Sequence, residues 1–120
     1  MKAIIYNISQ ETKISLALLN RKRHKIIIIT DPLSEKNVHF SEGKDAIIGD
    51  ETSFSPSMLA RLNSMGVKYM ILRSMESLMT QMTNFELNGS KYSMIESGDP
   101  GSEALQIITI LDECQTESVK

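Results

Sequence analysis

Cysteine occurs once in this chain, at Cys114, so no disulfide can form within it, and a lone thiol fits a reducing compartment. No long apolar run is present. The longest pure aliphatic stretch is Ile26 to Ile29, far short of the ~20 residues a membrane-spanning helix requires. Met1-Lys2-Ala3 leads into a short apolar run with no cleavage-like site after it, so no signal peptide is expected. A clustered positive field is also missing: the net charge is −2, which argues against nucleic acid as a partner. Together these absences predict a cytoplasmic protein that binds neither membrane nor nucleic acid. With 120 residues, 41% hydrophobic and 23% charged, the chain suits a single domain spanning 1–120.

What is present is an alternation of short apolar runs with amphipathic segments. Lys2 to Asn7 reads as a strand, and Ser9 as the cap of a helix whose apolar face holds Ile14, Leu16, Ala17, Leu18 and Leu19. Basic Arg21 to Lys25 suits a helix C-terminus. Ile26 to Ile29 reads as a strand buried on both faces. A polar loop follows from Ser34 to Lys44, with room for a short helical turn, and Asp45 to Asp50 forms a third strand. Ser55-Pro56 starts a helix with Met58, Leu59, Leu62 and Met65 on one face, and Gly66 ends it. Val67 to Leu72 is a fourth strand. A helix is expected over 75–85 and a turn at Asn88-Gly89, then a weaker fifth strand over Lys91 to Ile95. Asp99-Pro100-Gly101-Ser102 opens a last helix to about Cys114. This order predicts an α/β fold, a doubly wound parallel sheet of about five strands in three layers. Ligands in such folds bind beyond the strand carboxyl ends, here Asn7, Asp31, Asp50, Arg73, Ser74 and Glu96.

The chemistry at those ends is sparse. The turn after the first strand reads Asn7-Ile8-Ser9-Gln10, with no glycine to let backbone amides approach a pyrophosphate, and no phosphate-cradling loop occurs elsewhere. No cofactor is expected. A receiver domain of two-component signalling shares the layout and would use Asp50. That chemistry needs an acidic cluster after the first strand, where Asn7 and Ser9 stand, and a lysine after the fifth, where Glu96-Ser97 stands. Asp50 is therefore expected to be a solvated loop residue. His24 and His39 have no companions at metal-ligand spacing and read as surface histidines; Cys114 reads as a small packing residue.

A family likeness emerges at the fourth strand. Gly66-Val67-Lys68-Tyr69-Met70-Ile71-Leu72-Arg73-Ser74 resembles the corresponding strand of the D-isomer-specific 2-hydroxyacid dehydrogenases, especially the D-lactate type. Lys2 to Tyr6, Asp31 to Val38 and Gly43 to Ala46 support it. The likeness is densest over residues 1–74 and thin beyond. It implies a flavodoxin-like substrate-binding lobe, with the nicotinamide-binding lobe of the family inserted after it. It also implies an anion site near Arg73, Ser74 and Glu76. There the family carries a glycine, then an aspartate, and this chain has Glu76 and Leu78, so the site is expected to be vestigial. The family's Ala-Glu-His run aligns with Ala104-Leu105-Gln106, and its catalytic arginine, acid and histidine fall beyond Lys120. The expected role is a non-catalytic binding module, a pseudoenzyme that associates with itself or with a protein partner. An organic-acid sensor and half of a split dehydrogenase are the alternatives.

The apolar residues of the last helix span about 220° of its wheel, wider than one sheet face needs. Either the helix is sunk in its own core, or Leu105, Ile108, Ile110 and Leu111 meet a second copy in a homodimer. Met75, Met79 and Met82 form a similar stripe on the preceding helix, for packing or for docking.

Overall fold

The computed structural model describes residues 1–21, 23–50, 54–74, 85–87, 90–96 and 99–118. Among these residues, six strands and three helices follow in the order β1 (Lys2–Tyr6), α1 (Gln10–Asn20), β2 (Lys25–Ile29), β3 (Ala46–Asp50), α2 (Pro56–Ser64), β4 (Tyr69–Ser74), β5 (Phe85–Leu87), β6 (Ser90–Glu96) and α3 (Pro100–Ser118). A single 3-10 turn, Val38–Ser41, interrupts the loop between β2 and β3.

The sheet order is β2-β1-β3-β4-β6-β5. Five strands, β2-β1-β3-β4-β6, are parallel. The short β5 joins β6 antiparallel, with Phe85 opposite Tyr92 and Leu87 opposite Ser90. The parallel sheet is thus as expected, with an added antiparallel edge. Phe85, expected at a helix end, belongs to this strand; the rest of that helix, its methionine stripe and Asn88-Gly89 lie outside the described residues.

Both faces of the central strands are buried, and their side chains alternate between two cores. Ala3, Ile5, Ala46, Ile48, Tyr69 and Ile71 meet Leu16 of α1 and Ala104, Ile107, Ile108 and Leu111 of α3. Ile4, Tyr6, Ile47 and Met70 meet Met58 and Leu62 of α2, with Leu33, Val38 and Phe54. Alternation across a doubly covered sheet is why these strands read as continuous apolar runs. The buried positions of α3 recur at intervals of three and four residues, so one stripe of the helix serves the sheet and the neighbouring α1.

The caps follow local chemistry. Ser9 Oγ accepts the Thr12 N–H at 3.2 Å and Ser55 Oγ accepts the Met58 N–H at 3.2 Å, each satisfying an amide the helix leaves open. Asp99 Oδ2 does the same for the Ser102 N–H at 3.0 Å. Gly66, at φ +88°, takes the left-handed conformation that releases the chain from α2 into β4.

Two expectations are corrected. The Ile26 to Ile29 strand is not buried on both faces: β2 sits at the sheet edge, Ile27 is 44% exposed, and Ile26, Ile28 and Ile29 are only half-buried. A β-branched run specifies a strand without saying how many neighbours it has. His24 is buried rather than a surface residue. Its Nε2 lies 2.7 Å from Asp112 Oδ1 on α3, while Asn20 clamps its backbone N–H and C=O at 3.0 and 2.9 Å. Arg23 reaches the same Asp112 carboxylate at 3.2 Å, tying the start of β2 to α3.

Candidate functional site

Strand order reverses between β1 and β3, which leaves a crevice at their carboxyl ends, the usual ligand position of an open α/β sheet. Asn7 follows β1, Asp50 ends β3 and Arg73 lies near the end of β4, so three of the residues singled out from sequence converge here. Asn7 adopts a left-handed backbone (φ 56°), and its N–H is shared between the carbonyls of Ile29 at 2.9 Å and Asp31 at 3.1 Å. Asparagine tolerates that conformation better than most residues. Its side-chain amide donates to Asp50 Oδ2.

Arg73 is the hub. Its side chain is only 3% exposed, and its guanidinium meets Asp50 Oδ1 at 3.1 Å and Glu103 Oε1 at 3.1 Å. It also donates to the carbonyl oxygens of Tyr6 and of Asn7, the latter at 2.7 Å. Nε is buried and has no partner among the described residues. Asp50 is therefore no solvated loop residue: one carboxylate oxygen faces Arg73 and the other faces Asn7.

Glu103 was not singled out from sequence. It stands in the first turn of α3, where a negative charge is favoured by the helix dipole, and it is almost fully buried beneath the strand ends. The available signal was an acid in the first turn after the Asp99 cap, ordinarily read as complementing the helix dipole alone. The cluster thus sets one guanidinium against two carboxylates. That excess of negative charge disfavours a carboxylate ligand. It equally opposes a pyrophosphate, and the Thr12 amide of the adjoining α1 N-terminus is already taken by Ser9. The residues present do not fit a nicotinamide dinucleotide.

Of the other expected positions, Asp31 is exposed and Ser74 pairs with Glu96 in the β4–β6 ladder. Glu76 and Leu78 lie outside the described residues. Tyr6 lies on the opposite face of the sheet from α3; its hydroxyl sits 2.8 Å from Ser41 Oγ and donates to the Asn37 carbonyl at 3.0 Å. Burial pushes its pKa up from the ordinary 10.0, opposed by the Ser41 hydrogen bond. His39 is exposed and stacks on Phe40 at 4.2 Å, and Cys114 is buried in the core. Among the described residues no cluster of three or more His, Cys, Asp or Glu is placed to hold a metal ion. No helix among them is long and apolar enough to cross a membrane.

The candidate interface on α3 divides. Ile108 and Leu111 are buried in the chain's own core against the sheet and α1, Ile110 is half-buried, and Leu105 is 56% exposed. Ile108 and Leu111 have no surface left to offer a second copy. Leu105 and Ile110 line a shallow depression of about 280 Å³ with Met94, Ile95, Gln106 and Thr109.

No family model and no curated protein matches the sequence. Solved structures do match the fold. The chain is similar to the D-lactate dehydrogenase of Salmonella (TM-score 0.62, 23% identity), covering 83% of this chain and 31% of that one. It is similar to the D-lactate dehydrogenase of Escherichia coli (0.63, 22%), covering 83% and 32%. It is similar to the pyruvate reductase of Chlamydomonas reinhardtii (0.60, 19%), covering 98% and 36%. The chain therefore spans about a third of the length of these enzymes and has the fold of one lobe of the D-2-hydroxyacid dehydrogenase architecture.

Proposed function

We propose that this chain is a non-catalytic association module built on a dehydrogenase-type lobe, working through self-association or a protein partner. The observation that carries this reading is the commitment of Arg73 to Asp50, Glu103 and two backbone carbonyls. The one cation found at the crevice among the described residues is thereby neutralised from within, and an incoming acid meets net negative charge. Apolar side chains meanwhile stand exposed on α1 and β2, among them Ile14, Leu18 and Ile27. Surface of this kind supports association rather than small-molecule chemistry.

Isothermal titration with D-lactate, pyruvate and longer 2-hydroxy and 2-oxo acids, with and without NADH, tests the reading. No binding up to millimolar concentration is expected. Saturable binding of any acid overturns the reading in favour of a sensor.

A second reading, half of a split dehydrogenase, draws on the likeness to a third of several D-lactate dehydrogenases. It requires NADH-dependent reduction of a 2-oxo acid once a separate cofactor-binding chain is supplied.

A further inference from the structure

β2 lies at one edge of the sheet, and β1 is its only strand partner among the described residues. Its hydrogen-bonding register fixes which backbone groups face outward. Lys25 N–H donates to the Met1 carbonyl, and the Ile29 carbonyl accepts the Asn7 N–H, each at 2.9 Å. Lys25, Ile27 and Ile29 therefore turn their peptide groups toward β1. Ile26, Ile28 and Thr30 present theirs to the open edge.

An open edge is ordinarily blunted by proline, a bulge or a mid-strand charge. Ile26 to Ile29 has none of these: four β-branched residues in succession, with Lys25 before them and Asp31 just after Thr30, both exposed. Beside the edge, a cleft of about 470 Å³ opens between α1 and β2, lined by Lys13, Leu16, Ala17, Asn20, Ile26 and Ile28. Next to it, Ile14 and Leu18 stand 53% and 71% exposed on α1.

We propose that β2 pairs antiparallel with β2 of a second copy of this chain, with Ile28 on the two-fold axis. This rests on the association reading above and names its partner. That register sets Ile28 against Ile28 and Ile26 against Thr30, the outward-facing residues, so each opposed pair exchanges both of its N–H···O bonds. It also sets Ile27 against Ile29 and Lys25 against Asp31, in the pairs whose side chains approach most closely. The charge complementarity is what selects the partner and the register. A basic start and an acidic end make the strand self-complementary only when antiparallel; a parallel pairing stacks Lys25 on Lys25. The two-fold sets the two copies of α1 on the same side of the joined sheet, an isologous arrangement that closes at two copies.

Light scattering on the size-exclusion peak, over a dilution series from about 100 to 1 μM, reads the outcome. A dimer is expected. Ile27→Lys places a charge on the exposed face of the edge and is expected to give a monomer with an unchanged far-ultraviolet spectrum. Should that variant fail to fold, the charge series decides. Lys25→Glu is expected to weaken the dimer about tenfold, and Lys25→Glu with Asp31→Lys to restore it. A wild-type monomer at 100 μM overturns the proposal. So does a dimer indifferent to the charge series but dispersed by Leu105→Lys; that outcome moves the contact to α3 and leaves the association reading standing. Acid binding by calorimetry, in contrast, removes the association reading whatever the oligomeric state.

Discussion

Arg73 of β4 and Glu103 in the first turn of α3 meet at 3.1 Å with side chains only 3% and 7% exposed. The contact joins the sheet to the start of the last helix at the carboxyl ends of the strands, the usual ligand position of an open α/β sheet. Breaking a buried pair strands a charge, so Arg73→Ala is expected to lower stability by about 3–5 kcal/mol in urea unfolding. Glu103→Gln keeps a hydrogen-bonding oxygen and is expected to cost less, about 1–3 kcal/mol.

Tyr6 makes an alkaline prediction. Its pKa is raised in the folded chain chiefly by burial, so folding favours the neutral phenol. The stabilisation is complete below the unfolded-state value near 10 and is lost as pH rises through the folded-state value. Melting temperature should fall between about pH 9.5 and 11 more steeply for wild type than for Tyr6→Phe. At pH 7 the variant should be about 1 kcal/mol less stable, from the lost bonds to Ser41 and Asn37.

Two leucines on α3 separate packing from surface. Leu111 is fully buried and Leu105 is 56% exposed. Leu111→Ala is expected to cost about 2–5 kcal/mol. Leu105→Ala should stay within about 0.5 kcal/mol of wild type. Chemical denaturation of the two variants, side by side, checks the division of the helix.

Gly66 at φ +88° should resist any side chain. Gly66→Ala has open space for its Cβ, so the cost is conformational alone, about 1–2 kcal/mol. A loss beyond that range in thermal unfolding would mean α2 ends differently from the structure.

Much of the architecture was legible because it is encoded locally. The strand runs at Ile4-Ile5, Ile47-Ile48 and Met70-Ile71, the caps at Ser9 and Ser55, and the stop at Gly66 each follow from a few neighbouring residues. What was not legible depends on long-range contact. Edge and centre look alike in a row of isoleucines, so the run reads as a strand buried on both faces although β2 pairs with β1 alone among the described residues. His24 gave no sign of burial because its partner, Asp112, lies 88 residues away in the chain. Arg73, Asp50 and Asn7 could be placed at the strand ends from the alternation of elements, but not joined to one another. Glu103, the fourth member, comes from a helix whose first turn read only as a cap.

The claim that Arg73 is committed internally rather than to a ligand can be read on the arginine itself. Its buried Nε–H gives a side-chain signal in nitrogen-15 NMR, assignable by its loss in Arg73→Lys. Titration with pyruvate or D-lactate to ~50 mM is expected to leave that signal unmoved, because ligands at that site must displace Asp50 or Glu103. A saturable shift of the Arg73 resonance would contradict the account and return the crevice to small-molecule recognition.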